Sequence, residues 1–212
     1  LQAGDGDDLL FSGTGIDVMY GAQGNDSFNA TFADRTDPRR LGLIINEATI
    51  SSTATDSITA YGEQGDDLIY GTNGNDVLDG GDGDDWLFGA DGNDKLISSS
   101  GRDVLNGGDG DDTLIAGAND VVTAGIGQDT IILDAANADK TPTSIIAFDS
   151  RYDNIIIAHD DKLQTPHKVN LRLHSGDPTL TEIILDGAVL ATMNTVTGFK
   201  ASDIVLVTGP QT

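Results

Sequence analysis

The chain has 212 residues and no cysteine, and its 35 acidic residues outnumber 11 lysines and arginines, which gives a formal charge of −24. A surface this acidic argues against nucleic acid and anionic membranes as partners, because both require basic patches. The lack of cysteine excludes a disulfide framework, and no apolar run is long enough to span a membrane.

The first predicted elements are three consecutive nine-residue units in residues 3–29. The units contain Asp8, Asp17 and Asp26, each followed two places later by an apolar residue: Leu10, Met19 or Phe28. The pattern breaks between Asn29 and Ile50, where we predict a loop and then a strand, 41–45, that rejoins the array. Ser51–Thr59 is predicted to be a degenerate unit that keeps Asp56 and Ile58, with Ala60 and Tyr61 as extra residues.

Six further units follow without slippage from Gly62 to Ile115, and each has Gly at place four, Asp at place six and an aliphatic residue at place eight. The glycine- and aspartate-rich part of a unit favours a turn, and its last three residues favour a short strand with one residue facing inward. Two units then make one coil of eighteen residues, and stacked coils form two parallel sheets. The predicted inward residues are Ile69, Leu78, Leu87, Leu96, Leu105 and Leu114.

Stacking the turns brings their carboxylates together, and like charges at short range repel. A cation between the turns would relieve this repulsion. Oxygen ligands without cysteine or clustered histidine select a hard cation, and Ca²⁺ fits best. The alternative is a disordered acidic linker, which we expect only without calcium; folding and calcium binding are then one event.

This pattern resembles the GGxGxDxUx nonapeptide of the RTX (repeats-in-toxin) family, a calcium-binding parallel β-helix repeat. The resemblance implies an all-β fold, a right-handed parallel β-roll with eighteen residues per coil. It also implies that each ion lies between one turn and the turn of the next coil. The earlier turn supplies the carbonyls of places two and four and the carboxylate of place six, and the later turn supplies the carbonyls of places one and three and its own carboxylate.

Carried onto this chain residue by residue, the resemblance implies about seven ions. The first three ligand sets are Gly4, Gly6, Asp8 with Gly21, Gln23, Asp26; Glu63, Gly65, Asp67 with Gly80, Asp82, Asp85; and Thr72, Gly74, Asp76 with Gly89, Asp91, Asp94. The next three are Gly81, Gly83, Asp85 with Ser98, Ser100, Asp103; Ala90, Gly92, Asp94 with Gly107, Asp109, Asp112; and Gly108, Gly110, Asp112 with Ala124, Ile126, Asp129. In the seventh, Ser99, Gly101 and Asp103 would face Asp120, whose unit (residues 116–123) lacks one turn residue.

The outward strand positions differ between the two predicted sheets. One outer face would carry Leu68, Tyr70, Trp86, Phe88, Val104 and Val121, and the other Val77, Asp79, Lys95, Ile97, Thr113 and Ile115. An apolar stripe of the first kind is unusual on a monomer. It is either a surface for glycan binding, docking or self-association through Tyr70, Trp86 and Phe88, or it is covered by the insertion or by the C-terminal region.

From Leu133 onward glycine becomes scarce and the strands lengthen. We predict strands at residues 144–148, 154–158, 169–173, 181–185, 188–193 and 203–207, with Asp186-Gly187 as a hairpin turn. The domain organisation is therefore a β-roll over residues 1–132, with an irregular insertion at about 30–60, and an antiparallel β cap over residues 133–212. Asp203 and the aliphatic residues after it are similar to a type I secretion signal, although a buried terminal strand explains them equally well.

No catalytic motif stands out: none of the three histidines lies in an HExxH sequence, and no GxSxG elbow occurs. We therefore expect a nonenzymatic calcium-binding module that folds outside the cell and supports type I secretion and stability of a larger secreted bacterial protein. The chain looks like a piece of such a protein. The alternatives are an adhesion or glycan- and matrix-binding module and the noncatalytic C-terminal part of a secreted enzyme or toxin.

Overall fold

A computed structural model of the chain describes residues 1–11, 17–29, 57–137, 140–159 and 167–208, apart from the side chains of Phe11, Asp17, Asn29 and Asn137. The described residues form two β-sheets and two short 3-10 helices, Ala135–Asn137 and Ala201–Asp203. In this part of the chain, no helix is both long and apolar enough to cross a bilayer.

The ten-stranded sheet contains, in spatial order, β1 (Leu9–Phe11), β3 (Ser27–Asn29), β5 (Leu68–Tyr70), β7 (Trp86–Asp91), β9 (Val104–Asp109), β11 (Val121–Ile126), β13 (Thr143–Ile146), β17 (Ala188–Asn194), β16 (Leu180–Leu185) and β15 (Val169–Leu173). The eight-stranded sheet contains β18 (Val205–Thr208), β14 (Asn154–His159), β12 (Thr130–Asp134), β10 (Thr113–Ala116), β8 (Lys95–Ile97), β6 (Val77–Asp82), β4 (Ile58–Gln64) and β2 (Asp17–Gln23).

Successive strands alternate between the two sheets, and neighbours within a sheet pair in parallel through the repeats. Leu68 pairs with Trp86, and Trp86 pairs with Val104, so one coil takes eighteen residues. The step shortens to seventeen between Val104 and Val121, where one turn residue is missing. The predicted parallel β-roll is confirmed.

Through the repeats, the core is the single row of side chains that each sheet turns toward the other; the C-terminal strands bury more than one side chain each. All six predicted inward residues from Ile69 to Leu114 are fully buried, and Met19, Phe28, Val122 and Ile131 are at most 1% exposed. A strand that presents only one residue inward buries little apolar surface. Each such side chain contributes about 1.5–3 kcal/mol, so the roll has a thin core for its length.

The strands on either side of the insertion stay in register with each other. Asp17 pairs with Ile58, and Ser27 pairs with Leu68, so neighbouring strands here are 41 residues apart instead of eighteen. The predicted loop and the strand at 41–45 lie outside the described residues, as does Asp56.

The assignment of Ser51–Thr59 as the degenerate unit is wrong by two residues. Ala60 pairs with Met19 and Leu78 in the row of inward residues and is fully buried, so Ala60 holds place eight. Ile58 consequently holds place six, where the other units have Asp. Ala60 and Tyr61 belong to the coil and are not extra residues. The sequence was misread because Asp56 and Ile58 imitate the spacing of a true unit.

The C-terminal region contains the predicted strands, and Asp186-Gly187, with φ of 52° and 98°, forms the hairpin turn between β16 and β17. Among the strands that the structure describes, antiparallel pairing is confined to β15 with β16 and β16 with β17. β13 and β14 continue the two sheets of the roll in parallel, and β18 pairs in parallel with β14. Parallel pairing therefore continues beyond residue 133, and the division into two domains there stays a prediction.

The two outer faces have the residues that the repeat predicts. Tyr70 stacks on Phe88 with ring centroids 4.8 Å apart, and Trp86 lies tilted against Phe88 at 6.3 Å. Trp86 is 52% exposed with all described residues in place, so the described C-terminal strands do not cover it.

Candidate metal sites

The place-six aspartates form two columns along the roll, one before the strands of each sheet. The first Asp column is Asp8, Asp26, Asp67, Asp85, Asp103 and Asp120. The second Asp column is Asp76, Asp94, Asp112, Asp129 and Asp153. In both columns the backbone N–H of each residue donates to Oδ1 of the next, as from Asp85 to Asp103 at 2.8 Å. Ile58 donates to Asp76 in the same way and so begins the second ladder.

The other carboxylate oxygen of most of these residues has no partner. Oδ2 is buried without a hydrogen-bond donor in Asp26, Asp67, Asp85, Asp94, Asp103, Asp112 and Asp129. A buried carboxylate oxygen with no donor is unfavourable unless a cation compensates it. The unpartnered state of these oxygens therefore tests whether a metal ion fits between the turns.

Five of these seven oxygens lie against the first glycine of their own unit; the units of Asp103 and Asp129 begin instead with Ser98 and Ala124. A Cβ added to Gly62 would collide with Oδ2 of Asp67 and with the carbonyl oxygen of Gly80 in the next coil. The same two kinds of oxygen converge on Gly71, Gly89 and Gly107, from the pairs Asp76 and Gly89, Asp94 and Gly107, and Asp112 and Ala124. The structure thus brings together two of the predicted ligand types, the place-six carboxylate and the place-one carbonyl of the next coil.

The remaining predicted carbonyls are positioned by backbone hydrogen bonds between coils. The place-four N–H donates to the place-three carbonyl of the next coil, as from Gly65 to Asp82 at 2.8 Å and from Gly83 to Ser100 at 2.9 Å. The same bond joins Gly6 to Gln23, Gly92 to Asp109 and Gly110 to Ile126. Each such carbonyl keeps a second lone pair for another partner. Places two and four adopt positive φ in most turns, among them Glu63, Gly81, Ala90, Ser99, Gly101 and Gly108.

Among the described residues, no three acidic or histidine side chains converge as a metal cluster. A metal ion here would therefore depend on backbone carbonyls for most of its ligands. A set of carbonyls with one or two carboxylates suits Ca²⁺, which takes six to eight oxygen ligands in flexible geometry. The donor set present fits this ion.

Burial raises the pKa of Asp94 and Asp103 to about 8. It raises the pKa of Asp67 and Asp112 to about 7 and that of Asp85 to about 6. The N–H donors of the ladder oppose this shift, whereas neighbouring carboxylates increase it. Without a counterion these groups are therefore harder to ionise than an exposed carboxyl group, and a bound cation would oppose this effect.

Thr72 departs from the common turn geometry. Its φ lies outside the left-handed region that Ala22, Glu63 and Ala90 occupy at the same place, because a β-branched side chain strongly disfavours that region. The N–H and the hydroxyl of Thr72 both donate to the carboxylate of Asp76, and the hydroxyl also accepts from Gly74. Oδ2 of Asp76 therefore already has donors.

In the first Asp column, Asp120 and Asp8 likewise have a local donor to Oδ2. The shortened turn places the N–H of Gly117 2.7 Å from Oδ2 of Asp120, and the Ser98 side chain also bonds this carboxylate. Gly4 donates to Oδ2 of Asp8 at 3.1 Å, and Asp8 is only partly buried. At the site predicted from Ser99, Gly101 and Asp103, the unit that faces them lacks one turn residue. Its Asp120 carboxylate is instead hydrogen-bonded within the protein.

Sequence reasoning missed two features of these columns. Asp153 extends the second Asp column although it follows Asp129 by 24 residues; its signal is the Asp-Asn-Ile-Ile order, which copies places six to nine. The place-five residues also form exposed hydrogen-bond ladders. In these the N–H donates to the preceding coil, which is opposite to the direction in the Asp columns. Asp84 N–H donates to Oδ1 of Asp66, and Arg102 N–H donates to Oδ1 of Asp84, both at 2.9 Å. The recurrence of Asp and Asn at place five is the signal for this ladder.

Comparison with known proteins agrees with this geometry. The model of the RTX calcium-binding nonapeptide repeat matches residues 1–32, 61–96, 88–119, 97–131 and 117–137, which together make up about half of the chain. A comparison with curated protein sequences gives no match.

Among solved structures, the extracellular lipase LipA from Serratia marcescens is similar at 15% identity with a TM-score of 0.36. The match covers 97% of this chain but only 39% of the lipase chain. The place-six carboxylates and the carbonyls opposite them agree with the matched calcium-binding repeats, and the chain belongs to the family of RTX calcium-binding nonapeptide repeats.

Proposed function

We propose that this module folds when it binds calcium outside the cell, and that it thereby supports type I secretion and stability of a larger secreted protein. The observation that carries the proposal is the set of seven buried Oδ2 atoms without a donor. A calcium-free roll must bury these oxygens without a compensating charge. Its thin core contributes little free energy from apolar burial, and this must offset the conformational entropy lost when many glycines are ordered. The unfolded chain is therefore favoured wherever free calcium is low.

The calcium affinity of extracellular modules, about 10⁻⁴–10⁻³ M, suits a switch between compartments. Inside the cell the chain would stay unfolded and competent for export. Outside the cell, calcium would bind between the turns and stabilise the stacked coils. The ions are expected at the sites whose Oδ2 lacks a donor, with the ligand sets given above.

The direct test follows the far-UV circular dichroism of the full chain during titration with calcium, with magnesium as the matched control. The expected result is a cooperative gain of β signal with calcium, absent with magnesium and reversed by a chelator. The same β signal in excess chelator would contradict coupled folding. Secretion is tested separately, by fusing residues 133–212 to a reporter in a strain with a type I exporter; no export would remove that part of the proposal.

A second candidate, an adhesion or glycan-binding module, is favoured by the exposure of Trp86 beside the stacked rings of Tyr70 and Phe88. Flat exposed aromatic rings supply broad apolar contact at low entropic cost. A glycan array and a whole-cell binding assay would compare the calcium-loaded protein with its Trp86→Ala variant. Binding that is lost in the variant would support this candidate, and no binding by either protein would exclude it under these conditions. Sedimentation of the same pair tests self-association through this face.

A further inference from the structure

We propose that the insertion is bridged by a discontinuous calcium site, in which the turn that ends at Asp26 faces the turn that ends at Asp67. This site rests on the proposed calcium-binding function but is not one of the eighteen-residue pairs that the repeat implies, because its two turns are 41 residues apart. The ion would join the N-terminal block of repeats, residues 1–29, to the main array that begins at residue 57.

The geometry across the insertion matches that of an uninterrupted coil. The N–H of Asp26 donates to Oδ1 of Asp67, as Asp67 does to Asp85. The N–H of Gly24 donates to the carbonyl of Gln64 at 2.8 Å, as Gly65 does to Asp82. The ladder of the first Asp column and the backbone bonds from place four to place three therefore both continue across the insertion.

The oxygens at this position also match those of the uninterrupted sites. Asp26 is 1% exposed, and its Oδ2 has no donor. A Cβ on Gly21 would collide with this oxygen and with the carbonyl oxygen of Gly62. Gly62 stands in the same relation to Oδ2 of Asp67 and the carbonyl of Gly80. By the same correspondence, the carbonyls of Ala22, Gly24 and Gln64 would complete the site.

The length of the insertion does not prevent such a site. The entropy of closing a loop rises only with the logarithm of its length, so a step of 41 residues is little worse than one of eighteen. Noncovalent bonds between the coils hold the two blocks in register. An ion shared by the two blocks would be the strongest of these bonds.

Gly21→Ala tests the proposal, with Gly176→Ala as its matched control. The φ of Gly21 lies outside the left-handed region, so the backbone conformation allows alanine, but the added methyl group would lie 2.3 Å from Oδ2 of Asp26 and 2.4 Å from the Gly62 carbonyl oxygen and would force these two oxygens apart. At Gly176, outside the predicted ligand sets, the same methyl group meets only the His174 ring, at 3.3 Å. Neither variant changes the charge or removes a predicted ligand atom.

Native mass spectrometry would count the ions on the full-length wild type and both variants, and hydrogen exchange would follow the amides of β1 and β3. We expect Gly21→Ala to hold at least one ion fewer than Gly176→Ala, and its β1 and β3 amides to exchange at least about tenfold faster while β7 amides are unchanged. Equal ion counts in the two variants would overturn the bridging site while leaving the proposed function intact. A wild type that binds no calcium would instead overturn the proposed function itself.

Discussion

The backbone N–H of Asp67 donates a 2.8 Å hydrogen bond to Oδ1 of Asp85, one coil further along the chain, while Oδ2 of Asp85 has no donor. One carboxylate thus has two separable roles. Oδ1 accepts the ladder hydrogen bond, and Oδ2 is left for a cation.

Substitutions at Asp85 should separate these roles. Asp85→Asn keeps an acceptor for the buried N–H of Asp67, whereas Asp85→Ala removes it. We expect both variants to bind fewer ions than the wild type. At saturating calcium, the alanine variant should have a free energy of unfolding lower than the asparagine variant by about 1–3 kcal/mol, the penalty of an unpaired buried N–H. Urea denaturation measures this difference, and equal stabilities would show that the ladder bond contributes nothing.

Thr72→Ala should improve calcium binding. Alanine occupies the same place at Ala22 and Ala90 with φ of 90° and 85°, so it tolerates the left-handed backbone that Thr72 avoids. The change also removes the hydroxyl that bonds the Asp76 carboxylate. We expect one more bound ion, or tighter binding of the ion between Asp76 and Gly89, by calorimetry. Thr113→Ala, on an outward strand position, changes the same chemical group and is the control.

An unchanged ion number and affinity in Thr72→Ala would mean that the hydroxyl does not compete for the site. A loss of affinity would mean that Thr72 supports it.

The stability of the calcium-free roll should fall as the pH rises. This is opposite to the effect of a carboxylate that is held in an ion pair. Asp94 and Asp103 have a pKa of about 8 in the folded chain against 3.8 in the absence of burial, so the folded state binds more protons than the unfolded state between these values. Stability therefore falls as pH rises from about 4 to about 8. Calcium-stripped protein should show more β signal at pH 5 than at pH 8, and calcium affinity should rise over the same range because protons compete for the same oxygens.

Repulsion between surface charges would produce a similar trend, and salt separates the two causes. Surface repulsion is largely screened at 1 M salt, whereas buried pairs are screened much less. The pH dependence should therefore survive in 1 M NaCl. Its disappearance there would assign the effect to the surface charge and not to the Asp columns.

Leu87→Ala should strongly destabilise the calcium-loaded roll. Leu87 is fully buried in the single row of inward residues, and neighbouring coils cannot collapse without breaking the ladders, so we expect a loss of about 2–5 kcal/mol. Leu68→Ala, at a half-buried outward position on the adjacent strand of the same sheet, is the control and should lose clearly less. Similar losses would mean that the outward stripe is also packed in solution.

The sequence by itself determined the period, the inward residues and the chemistry of the turns. A nine-residue repeat has only one place for an inward side chain, so Leu78 and Leu105 could be assigned without coordinates, and both are fully buried. The recurrence of Asp at place six in every unit of the array likewise predicted stacked carboxylates. These features are local, because each depends on the position of a residue within its own unit.

Only the tertiary structure decided which units face each other wherever the spacing departs from eighteen. Asp26 faces Asp67 across 41 residues, and Asp129 faces Asp153 across 24, because inter-coil hydrogen bonds fix the register whatever the length of the chain between them. The same cause places Ala60 and not Ile58 in the row of inward residues. Strand pairing is a nonlocal choice that a periodic pattern predicts only while the period lasts, and here the sheets continue after the period has ended.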